Sequence, residues 1–236
     1  IADAVESDLN NAGVLQGLIA TLGPSKLNTG APFAEIKRRF REELDYTLEA
    51  ERQVAFTRIH EGDPDIRIPT VIAERSSRRV LSTTLQTGAS IEEVAACPVE
   101  LRTRYAEVLW RFVFRGNIVG GMFNADPHPG NYLFQPDGSI VFLDFGCVQP
   151  ITGEHLAQAQ AAHLGALRRD DSGFAACIAR ILGTRGGAYE KAMIEYLRLC
   201  FEPLFSSPFR ITSQYVKSLV DFTLGLKKLM LAKDSG

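Results

Sequence analysis

Two carboxylates and an amide stand at spacings that suit phosphate chemistry. Asp126 and Asn131 stand with four residues between them in Phe123-Asn124-Ala125-Asp126-Pro127-His128-Pro129-Gly130-Asn131. Asp144 follows Ile140-Val141-Phe142-Leu143 and opens Asp144-Phe145-Gly146. The first segment is too rich in proline and polar groups to be core. The second puts a carboxylate at the mouth of an apolar strand, a place that ligand sites favour. Moving a highly charged phosphate needs hard oxygen ligands for Mg²⁺. Asp144 offers a carboxylate and Asn131 an amide carbonyl, while Asp126 can accept a hydrogen bond from an attacking hydroxyl or water. Gly130 and Gly146 let the backbone turn tightly beside each ligand. Asp-x-x-x-x-Asn followed by Asp-Phe-Gly is the spacing of a kinase catalytic loop. Each piece alone is commonly a plain turn, and it is the ordered pair on one hairpin that carries the reading.

The elements that must position these residues are legible around them. Tyr132–Phe134 and Ile140–Leu143 predict a hairpin across Pro136-Asp137-Gly138. Ahead of it, Leu101, Tyr105, Val108, Leu109 and Phe112 form the apolar stripe of a helix reaching about Gly120. Ser90 with Glu93 reads as a capping box. Residues 66–73 and 79–84 predict two short strands, and Phe123 to Tyr132 an irregular loop. A helix is expected over residues 1–22 and a longer one from about Phe33 to His60. From Thr152 onward the pattern is helical, with breaks near Asp170-Asp171, Gly183 to Gly187 and Ser206 to Pro208. Strand and helix do not alternate, so a doubly wound parallel sheet is not expected. The predicted class is α+β, protein-kinase-like and helix-rich. An incomplete N-terminal lobe spans residues 1–88, and a largely helical C-terminal lobe spans residues 89–236.

The acids of the long helix, Glu42-Glu43-Leu44-Asp45-Tyr46-Thr47-Leu48-Glu49-Ala50-Glu51, read first as a solvated face paired with Arg38, Arg39 and Arg41. Glu42, Asp45 and Glu49 follow at three and four residues, so a continuous helix puts them on one face. Glu43 then lies about 100° round the helix, beside that face. A kinase-like fold needs a helix acid ahead of its strands to hold the phosphate-binding Lys, and Glu49 is the candidate.

Bulk properties narrow the classes. The 236 residues suffice for one large domain or two small lobes sharing a cleft. A net charge of -2 gives no reason to expect a nucleic-acid partner. Cys97, Cys147, Cys177 and Cys200 show no CxxC or zinc-like spacing, which predicts free thiols in a reducing, cytosolic compartment. Residues 1–22 lack a basic start and an apolar core, so no signal peptide is expected. No apolar run reaches the roughly 18 residues of a bilayer span. Leu219, Phe222, Leu224, Leu226, Leu229 and Met230 with Lys217, Lys227 and Lys228 make an amphipathic tail. Packing on the preceding helices is its expected use, with a membrane surface as the alternative.

With these residues assembled, the chain resembles the UbiB/AarF (ABC1/ADCK) family of atypical protein-kinase-like proteins. Glu43-Leu44-Asp45-Tyr46-Thr47-Leu48-Glu49-Ala50 matches the family's Glu-x-Asp stretch. Phe123 to Asn131 matches its catalytic loop except at Asn124, where a His is usual, and Leu143 to Gly146 matches its Leu-Asp-Phe-Gly. The resemblance implies that Asp126 is the catalytic-loop Asp, that Asn131 and Asp144 hold Mg²⁺, and that Glu49 pairs with the nucleotide-binding Lys. It makes Glu43 and Asp45 the Glu-x-Asp pair that faces the nucleotide and restrains ordinary protein-kinase activity. It sets His128 where typical kinases have a catalytic-loop Lys, next to the phosphates, although a loop-packing imidazole is an equal reading. Thr84 to Gly88 become the hinge near adenine. ATP or ADP with Mg²⁺ is the implied cofactor. An isoprenoid lipid and the inner-membrane surface are the implied further partners.

The same resemblance sets an expectation about residues 1–32, which contain neither the family's phosphate-cradling loop, nor its Lys-bearing strand, nor its Lys-x-Gly-Gln helix. A chain truncated at its start is expected, and the C-terminal transmembrane pair of some members is absent. Asn124 is expected to weaken packing under the catalytic loop. Three functions stay open at this point. The first is an ATP-dependent phosphotransferase or ATPase supporting ubiquinone or isoprenoid-lipid metabolism. The second is a pseudokinase-like scaffold, and the third is a small-molecule kinase of the aminoglycoside or choline type.

Overall fold

The structure, a computed structural model, describes residues 44–233, with side chains to residue 226. The chain divides between Pro150 and Ile151 into two units. In the first, helix α1 (Tyr46–Ile59) starts at the N-cap Asp45, whose side chain accepts from the Thr47 N–H at 3.1 Å. The single helix expected through this point is therefore interrupted. A short carboxylate that can reach the amide two residues on favours the cap over a helix interior. Asp45, at φ -112° and ψ 89°, does not share a helical face with Glu49. The expected helix over residues 1–22, the stretch 33–43 and Glu43 itself lie outside the described residues.

Strand β1 (Ile66–Arg67) comes next, much shorter than the span 66–73 suggested. The second expected strand is reduced to isolated bridges, Val71 with Thr83 and Ser77 with Val80. Ser76 and Ser82 hydroxyls donate to the carbonyls of Ile72 and Arg75, which diverts this segment from a regular ladder. The capping box forms as read. Ser90 N–H donates to Glu93 Oε2 at 2.7 Å and opens the one-turn helix α2 (Ile91–Val94). Helix α3 (Val99–Phe114) buries Tyr105, Val108 and Phe112. It runs into a π-helical turn, Arg115–Val119, closed by the Gly120 N–H on the Arg115 carbonyl at 2.9 Å. Gly116 in this turn lies against α1, where a Cβ would stand 3.1 Å from Phe56 Cε1.

Strands β2 (Met122–Asn124), β3 (Tyr132–Phe134), β4 (Ile140–Phe142) and β5 (Val148–Pro150) follow. The β3–β4 hairpin forms across the expected turn, and β1 adds to it in parallel, with Ile66 opposite Ile140. All three β4 residues are buried. β2 pairs antiparallel with β5 inside a region that sequence pattern reads as irregular, because three-residue strands carry too short a pattern to register. An aromatic stack forms the core, with the Phe112 and Phe142 rings 3.6 Å apart and Phe56 5.1 Å from Phe145.

The connector is pinned to the hairpin by reciprocal hydrogen bonds of 2.9 Å between Ala89 and Phe134. Gly88 makes this approach feasible, since a Cβ there would lie 2.9 Å from Leu133 Cβ and 3.0 Å from the Phe134 carbonyl oxygen. Gly88→Ala is expected to lose about 1–3 kcal/mol, read as a lower urea midpoint with an unchanged m-value. An unshifted midpoint would show that the connector gives way without cost.

The second unit is helical, as expected: α4 (Gly153–Leu167), α5 (Asp171–Leu182), α6 (Ala188–Cys200), α7 (Glu202–Phe205) and α8 (Ser213–Lys233). Three of the breaks fall at the predicted places, and a fourth, at Phe201, was not predicted. Gly183 closes α5 at φ 62°, a left-handed conformation suited to glycine. Ala162, Ala166, Phe174, Cys177, Ile178 and Phe205 form its core. On α8, Leu226 is buried and Phe222 meets Tyr196 at 5.7 Å, so the expected packing face is real. Leu224 instead joins Val216 and Val220 on an exposed line. All four cysteines are free. Among the described residues, no helix is long and apolar enough to cross a membrane.

Candidate active site

The site is assembled in the first unit, where the exit of β4 returns to the start of β3. Leu143 N–H donates to the Asn131 carbonyl at 3.0 Å. This extends the hairpin by one pair and places Asn131 Nδ2 3.3 Å from Asp144 Oδ2. The other Asp144 oxygen, Oδ1, accepts the Gly146 N–H at 2.8 Å. Asn131 ends a short 3₁₀ turn, Pro129–Asn131, that His128 caps. His128 Nδ1 accepts the Gly130 N–H at 3.1 Å, so the ring proton resides on Nε2.

Asn124, which sequence reasoning read only as a deviation, lies between the two site segments. Its Nδ2 donates to the Asp144 carbonyl at 3.1 Å, and its Oδ1 accepts the Asp126 N–H at 3.2 Å. One amide thus joins the two segments instead of loosening the packing under the loop. The signal was present in kind, since an Asn amide carries a donor and an acceptor on one short planar group. Asp126 itself is exposed. Burial and then the Asp126 charge push the Tyr132 hydroxyl pKa up.

Glu49 approaches from α1 and accepts the Phe145 N–H. Burial, then the neighbouring Asp144 charge, pushes the Glu49 carboxyl up, against the pull of the Phe145 amide and Arg52. The structure therefore brings together Glu49, Asp126, Asn131, Asp144 and the turn bearing His128. It does not bring the other described candidates there. Asp45 spends one oxygen on Thr47 and the other on Arg78, at 3.4 Å. Thr84 is tied to Thr70, whose N–H donates to its hydroxyl at 3.0 Å, and lines a cleft of about 510 Å³ with Thr57, Arg58 and Gln86.

The donor chemistry fits Mg²⁺. That ion takes hard oxygens and is commonly held by one or two carboxylates plus substrate phosphates and water. Asp144 supplies the carboxylate. Asn131, with Nδ2 turned to Asp144, keeps Oδ1 for a cation. Among the described residues no cluster of three or more His, Cys, Asp or Glu forms a metal site. An all-protein cage is not what this ion requires.

The family model described as the ABC1 atypical kinase-like domain matches residues 1–177 of the 236, and the chain belongs to that family. It is 32% identical over 118 residues to Protein ACTIVITY OF BC1 COMPLEX KINASE 3, chloroplastic, of Arabidopsis thaliana, covering 48% of this chain and 16% of that protein. It is 23% identical over 238 residues to Atypical kinase COQ8B, mitochondrial, of Danio rerio, covering 95% of this chain and 37% of that protein. Among solved structures, the Rv3197–erythromycin complex of Mycobacterium tuberculosis superposes with a TM-score of 0.74 at 25% identity. That match covers 92% of this chain and 55% of the other. The chain thus spans well under two thirds of each of these relatives.

Proposed function

We propose that the chain supplies the metal-binding and catalytic side of a UbiB-type Mg-ATP site, acting in phosphoryl transfer or ATP hydrolysis. The observation that carries this reading is the Asn131 amide set 3.3 Å from the Asp144 carboxylate, with the exposed Asp126 on the same loop. In this reading Asn131 Oδ1 and Asp144 hold Mg²⁺, which when bound neutralises phosphate charge. Asp126 accepts the hydrogen bond of the attacking hydroxyl or water and orients it. His128 turns its Nε2–H to a phosphate oxygen. Glu49 stands behind Asp144 to pair with a cation that grips phosphate. Thr84 to Gly88 border the adenine. The Ala89–Phe134 pair lies three residues from Asn131 along β3, about 10 Å at strand spacing. That span suits a base at one end and terminal phosphates at the other.

The family resemblance extends this proposal to ubiquinone or related isoprenoid-lipid metabolism, with a peripheral position on a membrane surface. The test is Mg-ATP turnover by the full-length protein with Asp144→Asn. Turnover is expected to fall by at least about a hundredfold, and unchanged turnover would sink the reading. A second reading is a scaffold that binds nucleotide without turnover. Mg-ATP binding by calorimetry with no turnover in the full-length protein would select it.

A further inference from the structure

Two side chains on one turn of α1 straddle the Asp-Phe-Gly turn, one at each end of its Phe-Gly pair. Glu49 accepts the Phe145 N–H, and Arg52, three residues on and only 9% exposed, donates through Nη1 to the Gly146 carbonyl. The residues joined by the second bond are 94 positions apart in sequence. Phe56, one further turn along, packs its ring 5.1 Å from Phe145. Spacings of three and four put Glu49, Arg52 and Phe56 on one face. An acid, a cation and a ring thus grip the N–H, the C=O and the side chain of one three-residue turn.

We propose that Arg52 is a positioning residue that latches α1 onto the Asp-Phe-Gly turn and so holds the Asp144 carboxylate in register with Asn131. The bond it makes is charge-assisted and shielded, the kind that contributes most. Its acceptor lies two residues from Asp144, whose Oδ1 is bonded to the Gly146 N–H at 2.8 Å. The Gly146 residue is therefore held at both ends, its N–H by Asp144 and its C=O by Arg52. A swing of Gly146 away from α1 would have to break both. The arginine also carries positive charge beside the Glu49–Asp144 pair, so the like charges meet with a cation already on the same helix.

The latch is tested by amide hydrogen exchange on the full-length protein with Arg52→Met, which keeps length and removes the charge, and Arg52→Lys. Arg52→Met is expected to speed exchange of residues 144–147 about tenfold while leaving residues 105–112 of α3 unchanged. Arg52→Lys should restore part of the protection. In parallel, Arg52→Met should raise the KM for Mg-ATP about tenfold and lower kcat less than that. Unchanged exchange at 144–147, or an increase shared equally by α3, would overturn the latch, the latter by showing only general loosening. The inference rests on the phosphotransfer reading for its kinetic arm alone. If Asp144→Asn leaves turnover intact, that reading fails, while the exchange result still decides for or against the latch.

Discussion

Asp126→Asn lowers Mg-ATP turnover by about 10²–10⁴ and leaves nucleotide affinity within about twofold. The substitution is nearly isosteric, and the bond that fixes this part of the loop is made by the Asp126 backbone N–H to Asn124, which Asn preserves. The carboxylate makes no hydrogen bond of its own among the described residues, so little folding energy is at stake. What changes, on the proposed reading, is the basicity of the acceptor that would face an attacking hydroxyl. Steady-state turnover, read beside displacement of a fluorescent nucleotide, separates the two effects. Equal losses in affinity and turnover would make Asp126 a binding group, and full turnover would remove it from the chemistry.

Acid is expected to cost the first unit about 3 kcal/mol through one histidine. His60 is 3% exposed, stacks 4.9 Å from Phe112, and has both ring nitrogens without a hydrogen-bonding partner among the described residues. Burial, with help from the Arg115 charge and against the pull of Asp63, lowers its pKa from 6.5 to about 4. The folded value lies below the unfolded one, so the unfolded chain takes up the proton first. Stability is complete above about pH 6.5 and falls as pH drops toward 4, by about 3 kcal/mol in all. His60→Leu, close in volume, removes the titrating group and two unpaired polar atoms. Urea unfolding at pH 7.5 and pH 4.5 should show a smaller acid loss in the variant. An identical acid loss in both proteins would assign it to other groups.

The site was more legible than the scaffold around it. Asp126, Asn131 and Asp144 could be read as one group because a hairpin returns its ends to the same place, and the hairpin is written plainly in Tyr132–Phe134, Pro136-Asp137-Gly138 and Ile140–Phe142. Glu49 was legible as a helix acid, but its partner was not, because an amide 96 residues downstream leaves no mark on local pattern. Asp45 was misplaced for a related reason. Helical spacing counts a carboxylate as continuing the helix, whereas the same carboxylate ends it when it finds the Thr47 amide. Arg52 drew no reading from the sequence, although it is buried against Gly146. Asn124 was measured against the residue it replaces and not against the two backbone groups that its amide joins.

The π-helical turn at Arg115–Val119 bears on how this segment tolerates change in length. Its extra residue relative to an α-helical ladder is what widens the turn before β2. Losing one residue there would restore α-helical bonding and rotate all that follows by about 100°, carrying Asn124 away from Asp144. Gaining one would rotate it the other way. The stretch from Phe114 to Asn124 is therefore a fixed count, one in which substitutions are absorbed and insertions or deletions are not. The tip at Pro136-Asp137-Gly138, at the far end of the hairpin from Asn131 and Asp144, is free of that arithmetic.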